Sequence, residues 1–280
     1  MKSKRYVGLL LTVVGLLTAF AALSPVANAA KPDPGYEQFA GCPNPFKENS
    51  KSKTCVRSDI VGGHFNMGNK EVPIEKPITL TGGVENIFAP SPVLFNSEGG
   101  LTKAKQKVPG GVIGLTGLTW LLEFLGSEAL TLYATAELAG TPVIAGTAFA
   151  ALPLKVHLEN AVLGSKCYIG STTEPIKLNL TTGTTSPPAP NKPITGKEPK
   201  LVFEPEREIQ EALGGIYVDN SFAAPGANGC VLTLFGFIPI SINGLVNSAS
   251  GLPAAAGTNE AVQNFNAQIV SSEFAYEKQH

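Results

Sequence analysis

The chain has 280 residues, of which 43% are hydrophobic, 15% are charged and 52 are Gly or Pro. That is too apolar for a disordered chain and too rich in turn residues for a helical one. With 21 Lys+Arg against 22 Asp+Glu there is no basic excess, hence no electrostatic reason to bind nucleic acid or anionic lipid.

Lys2, Lys4 and Arg5 precede an apolar run from Tyr6 to Leu23, and Ala27-Asn28-Ala29 follows with the small-x-small pattern of a signal peptidase site. Residues 1–29 read as a secretory signal peptide, cut between Ala29 and Ala30. An uncleaved anchor is the competing reading, because the run is nearly long enough to span a bilayer. No second run of about 20 apolar residues exists, so no stable membrane span is expected after cleavage. Cleavage removes three basic residues and no acid, leaving 18 basic against 22 acidic residues and a net charge of −4.

Residues 30–59 read as an irregular N-terminal arm and 60–280 as a β-rich domain. Within the arm, Phe39-Ala40-Gly41-Cys42 is a poor lipoprotein box, since Lys31, Asp33 and Glu37 separate it from the apolar run. Lys47, Lys51, Lys53 and Arg57 form a basic patch diluted by Glu48. Four cysteines in an exported chain imply two disulfides with three possible connectivities. Chain position favours Cys42–Cys55, which pins the arm, and Cys167–Cys230.

Next in order, Thr79 to Phe95 reads as strand, turn, strand about Gly82-Gly83. Leu118, Leu121, Leu122 and Leu125 have helical spacing, whereas the glycines at 110, 111, 114 and 117 weaken any helix before residue 118. A short helix or an apolar loop is expected there. Apolar residues then alternate with polar ones over 130–138, 152–159 and 176–180, which predicts strands with one buried and one wet face. Alternation of this kind belongs to antiparallel sheets, because purely parallel strands read as continuous apolar runs. A Pro-rich loop covers 183–199. Glu204 to Leu213 reads as a short helix ended by Gly214 and Gly215. Cys230 to Val246 reads as a buried strand pair turning at Asn243-Gly244, and Phe265 to Tyr276 as a closing strand.

No catalytic, cofactor or metal constellation emerges. Ile60-Val61-Gly62-Gly63 matches the activated N-terminus of trypsin-like proteases, yet no Ser or His motif of that family accompanies it. Lys155, His157 and Glu159 share the wet face of one strand, either as an acid–base cluster or as a solvated row. His64 is expected on a loop surface. Glu123, Glu128, Glu137 and Glu159 lie near aromatic residues and could supply a glycosidase pair if two of them meet in one cleft. Asn179-Leu180-Thr181 is a glycosylation triplet.

Four phrases carry a resemblance: Leu163 to Ser171, Asn179 to Pro188, Ala224 to Cys230 and Gly251 to Gly257. Together they resemble uncharacterised exported proteins of high-GC Gram-positive bacteria, over roughly residues 150–265. The resemblance implies a Gram-positive cell surface or medium and suits the Cys167–Cys230 pair, and it brings no activity, cofactor or catalytic residue.

The expected architecture is all-β: a β-sandwich or jelly-roll-like antiparallel double sheet with one or two short helices, a closed barrel being the alternative. The expected function is that of a secreted or surface-associated, non-enzymatic structural or interaction protein. A carrier of an apolar ligand and a wall-polysaccharide hydrolase are the alternatives. Cell-wall components or an apolar ligand are the expected partners, and no cofactor is expected.

Overall fold

The computed structural model describes residues 33–48, 50–87, 93–96, 100–117, 130–160, 163–234 and 237–280. All of them belong to one unit, Lys31–His280. The stretch expected to be a signal peptide, with its Ala29–Ala30 junction, lies outside the described residues, as do Leu118, Leu121, Leu122, Leu125, Glu123 and Glu128.

Among the described residues fourteen strands form one sheet. The first eight are β1 (Thr54–Met67), β2 (Lys70–Pro73), β3 (Ile78–Val84), β4 (Val93–Asn96), β5 (Lys105–Lys107), β6 (Tyr133–Leu138), β7 (Val143–Ala145) and β8 (Phe149–Glu159). The remaining six are β9 (Tyr168–Ile169), β10 (Ile176–Thr181), β11 (Lys200–Glu204), β12 (Ile209–Asp219), β13 (Ala227–Asn228) and β16 (Glu260–Ser271). A separate two-stranded hairpin holds β14 (Val231–Leu234) and β15 (Ile238–Ser241). Three α-helices are described: α1 (Gly111–Thr116), α2 (Asn243–Ser250) and α3 (Ser272–Glu277).

Every described pairing is antiparallel. The path runs β10-β12-β16-β1-β3-β4-β7-β8, and β8 then pairs with β10. The sheet thus folds over into an all-β sandwich whose edges meet, with opposed walls packing face to face. The seam between β10 and β12 is a single pair, Thr181 with Val218. It is reinforced by the buried Asp219 carboxylate, which accepts the Asn179 N–H at 2.6 Å.

Alternation builds this interior. In β8 every second residue from Ala150 to Leu158 is buried and the intervening ones are not. β10 does the same with Ile176, Leu178 and Leu180. The opposite wall contributes Val56 from β1, Leu80 from β3, and Phe265, Ala267 and Ile269 from β16 to the same apolar cluster. Tyr217 stacks on Phe265 with ring centroids 4.0 Å apart. Burial pushes the Tyr217 hydroxyl well above the usual phenol range, so it stays neutral inside the walls. Gly215 makes the stack possible: a Cβ there would lie 2.4 Å from the Phe265 ring.

The arm packs on the outside. Tyr36 and Phe39 bury against Cys55, Ile209, Val270 and Ala275. β1 begins at Thr54, so residues 54–59 are strand rather than arm, and Cys42 reaches Cys55 within the sheet. The sulfur of the lipobox-like Cys42 is therefore disulfide-bonded.

Five local expectations are corrected. Gly82 and Gly83 are buried inside β3, not at a turn, because side chains from the arm lie where a Gly83 Cβ would project: Ser52 Oγ would be 2.0 Å from it. The glycines before residue 118 do not prevent a helix: Gly110 (φ 78°) and Gly117 (φ 72°) take left-handed conformations at the two ends of α1. Residues 204–213 are not helical. They form the β11–β12 hairpin, and Gly214 lies in the bulge between Ala212 and Gly215. The strand pair after Cys230 turns before Ile238, and Asn243-Gly244 instead starts α2. β15 is exposed throughout rather than buried.

The Pro-rich segment 183–199 is pinned. Thr185 and Ile194 bond across it, and Asn191 Nδ2 donates to the carbonyls of Asn220 and Asn259 at 2.9 and 2.8 Å. Among the described residues no helix is long and apolar enough to cross a membrane.

Candidate functional site

Register across four strands assembles the main polar cluster. On the outer face of the sheet, Lys105 of β5 pairs with Thr135 of β6, Thr135 with His157 of β8, and His157 with Tyr168 of β9. One position along, Glu137 pairs with Lys155, and on the other side Tyr133 pairs with Glu159. Residues directly opposite in a ladder point to the same face. The strand alternation that buries Leu154, Val156 and Leu158 therefore projects Lys155, His157 and Glu159 outward.

His157 sits at the centre. Its ring stacks on Tyr168 at 4.5 Å and 14°, and the Lys155 ammonium lies 4.7 Å from the same tyrosine ring. His157 Nδ1 is 3.9 Å from both Glu137 Oε1 and Glu159 Oε1. The two carboxylate oxygens are thus no farther apart than twice that distance, within the separation that glycosidase pairs use. Glu123 and Glu128 lie outside the described residues. His157 Nε2 is buried with no hydrogen-bond partner among the described residues.

The charges are already matched. Glu137 lies 3.5 Å from both Lys103 and Lys155. Glu159 is bound by Lys105 and accepts the Thr135 hydroxyl at 2.6 Å. Burial pushes the Glu159 carboxyl up, but hydrogen bonds from Lys105 and Thr135 and the charges of Lys105 and His157 outweigh it. The net effect holds Glu159 below its ordinary value. A general acid must keep its proton at working pH, and Glu159 is arranged to lose it. Beside the cluster, an open hollow of about 380 Å³ is lined by His157, Glu159, Asn160, Gly164 and Ser165.

The depressed carboxyl makes a pH prediction. Its contribution to stability is present above the ordinary carboxylate value and is lost as pH falls through the lower folded value. Urea unfolding followed from pH 6 downward should show Glu159→Gln losing less stability than the parent chain in the acid limb. Identical slopes would mean that the Lys105–Glu159–Thr135 contacts do not persist in solution.

Other singled-out residues disperse. His64 is in β1, not a loop, and its Nε2 meets Glu260 at 3.1 Å. Ile60 to Gly63 is mid-strand, at the β1 bulge opposite β16. Arg57 leaves the basic patch to grip Asp59 at 2.9 and 3.0 Å. Asn179 is exposed on β10. Among the described residues no group of three His, Cys, Asp or Glu could hold a metal ion. Lys105, Thr135 and Tyr168 were not legible as site residues. The signal that existed was Lys105-Gln106-Lys107, an alternation in which only Gln106 is buried.

The interior is a separate matter. Gln263 is fully buried, and neither its side-chain oxygen nor its nitrogen has a hydrogen-bond partner among the described residues. It lines a cavity of about 40 Å³ with Ser58, Thr147 and Tyr217 among otherwise apolar neighbours. A second cavity of about 40 Å³ lies between Met67, Val72, Ala134, Val156 and Leu178. Each has room for ordered water at a polar group and is far below the several hundred Å³ of a ligand pocket.

Cys42 is bonded to Cys55, and Cys167 to Cys230, the two pairs that chain position favours. The second bond fixes the base of the β14–β15 hairpin, where Cys230 N–H also donates to Asn243 Oδ1 at 2.8 Å. Beyond that base the surface is apolar: Phe237 is 74% exposed, and Ile238, Ile240 and Leu245 are exposed around it. No protein-family model, no curated protein and no solved structure matches the chain.

Proposed function

We propose that this chain is exported and acts in the cell envelope or outside it as a non-enzymatic protein. In this reading it holds an apolar envelope component through the β14–β15 hairpin. The observation that carries the reading is a charge-free apolar surface tied to the body by a disulfide. From Asn220 to Asn259 there is no Asp, Glu, Lys, Arg or His. Within that stretch Phe237, Ile238, Ile240 and Leu245 face solvent. The Cys167–Cys230 bond and the start of α2 anchor them to the body. Contiguous exposed apolar groups on a folded domain mark interaction surfaces. The disulfides and the N-terminal signal pattern support the extracellular setting; a cell surface as the place is what the sequence resemblance implies.

The hydrolase reading draws on the approach of Glu137 and Glu159 about His157. It is disfavoured because lysines neutralise both carboxylates. The ligand-carrier reading gains nothing from the apolar interior, whose two cavities hold only about 40 Å³ each, and the larger hollow of about 470 Å³ between Pro73, Glu75, Lys107, Val108 and Ile113 is open to solvent and lined in part by charged side chains.

The test is a Phe237→Ser/Ile240→Ser double variant of the exported chain. Thermal unfolding should match the parent, since both side chains are exposed. The variant should move from the envelope fraction to the medium. A parent chain found entirely in the medium, or a variant retained as well as the parent, overturns the hold on an envelope component through this hairpin.

A further inference from the structure

We propose that β11 is an edge at which two copies of this chain pair, extending the sheet across a two-fold axis. β11 pairs with β12 alone, so among the described residues its other side is an open sheet edge. Proteins guard such edges with very short strands, charged side chains (lysine above all), prolines, bulges or a covering segment. Here the charges Lys200 and Glu204 stand at the two ends of β11 and leave its centre apolar. Lys200-Leu201-Val202-Phe203-Glu204 carries no Pro or Gly, and Leu201 and Phe203 are each 57% exposed.

The five residues are complementary to themselves when run antiparallel. With Val202 opposite the second copy's Val202, each Lys200 faces a Glu204 and each Leu201 faces a Phe203. Directly opposed charges of unlike sign and directly opposed apolar groups both favour a ladder. The arrangement is isologous, as a two-fold interface requires. Register is also confined, because Pro199 and Pro205 flank the strand and lack the N–H that would carry the ladder onward. A slip by one residue in either direction shortens the ladder and breaks both charge pairs. Two existing contacts are compatible with it. Glu204 binds Arg207 at 2.8 Å through one carboxylate oxygen, and the Val202 carbonyl accepts from Gln210 Nε2 at 2.9 Å, keeping a second lone pair. The ladder is short, so the dimer is weak and depends on concentration.

The test uses the full disulfide-bonded chain in sedimentation from about 1 μM to about 1 mM, a range that covers weak association. A concentration-dependent dimer is expected. Lys200→Glu should weaken it by about tenfold, since two like-charge contacts replace two attractive ones. Adding Glu204→Lys to that variant should restore it. Independently, Val202→Cys should form a covalent dimer on mild oxidation, because opposed residues at the axis bring their Cα atoms within disulfide range. Phe46→Cys, exposed in the N-terminal arm and outside β11, should not. A chain that stays monomeric throughout, a dimer indifferent to Lys200→Glu, or a Val202→Cys chain that crosslinks no faster than Phe46→Cys overturns the proposal.

Discussion

Phe265→Ala is expected to lose about 3–5 kcal/mol of folding stability, read as a fall in the urea midpoint at unchanged slope. The ring is 1% exposed, stacks on Tyr217 at 4.0 Å and fills the space that Gly215 leaves open. It also lines the interior cavity of about 40 Å³, so its removal enlarges an existing void instead of letting the walls close. Phe265→Leu should recover most of that loss and cost about 1 kcal/mol. A loss under about 1 kcal/mol for the alanine variant would mean that the two walls do not meet at this ring.

Cys167→Ser/Cys230→Ser is expected to cost about 4 kcal/mol, since the bond closes a loop with a sequence separation of 63. That figure follows the chain-entropy account. Loosening of the hairpin base acts in the same direction, because Cys230 N–H is held by Asn243 at the start of α2. The double variant should unfold at lower denaturant, and hydrogen exchange should rise first in β14 and β15. Uniform acceleration over the whole sheet would instead place the effect in the unfolded chain. Cys42–Cys55 closes a loop of separation 13, and Cys42→Ser/Cys55→Ser should cost about 3 kcal/mol on the same account. Its exchange signature should appear in the arm around Tyr36 and Phe39.

Strand identity was legible wherever period two was clean. β8 and β10 present it without interruption, so both their existence and their buried faces follow from the order of residues. It was misleading where glycine served packing. Gly83 reads as a turn residue, yet it is in a strand because Ser52 and Pro43 occupy the place of its side chain. Gly214 and Gly215 read as a helix end, yet they make a bulge that admits Phe265. The stretch 204–213 carries helix-forming residues, and its pairing with Lys200 to Glu204 and with β16 overrode that propensity. Apolar content also misled at β15, where Ile238 and Ile240 are exposed although a local run of this kind reads as core.

The candidate site was half legible. Alternation alone puts Lys155, His157 and Glu159 on one outer face. Their neighbours Lys105, Thr135, Glu137 and Tyr168 come from three other strands, and only the register brings them alongside. Side-chain period is a property of consecutive residues, so the β class, the antiparallel pairing and the inward and outward faces of β8 and β10 follow from residue order. Residue order does not show that the sheet closes through Thr181 and Val218, that Glu137 and Glu159 are neutralised by lysines, or that an apolar hairpin faces solvent. Those outcomes depend on contacts between residues distant in the chain, and no local pattern of residues encodes which strand lies beside which.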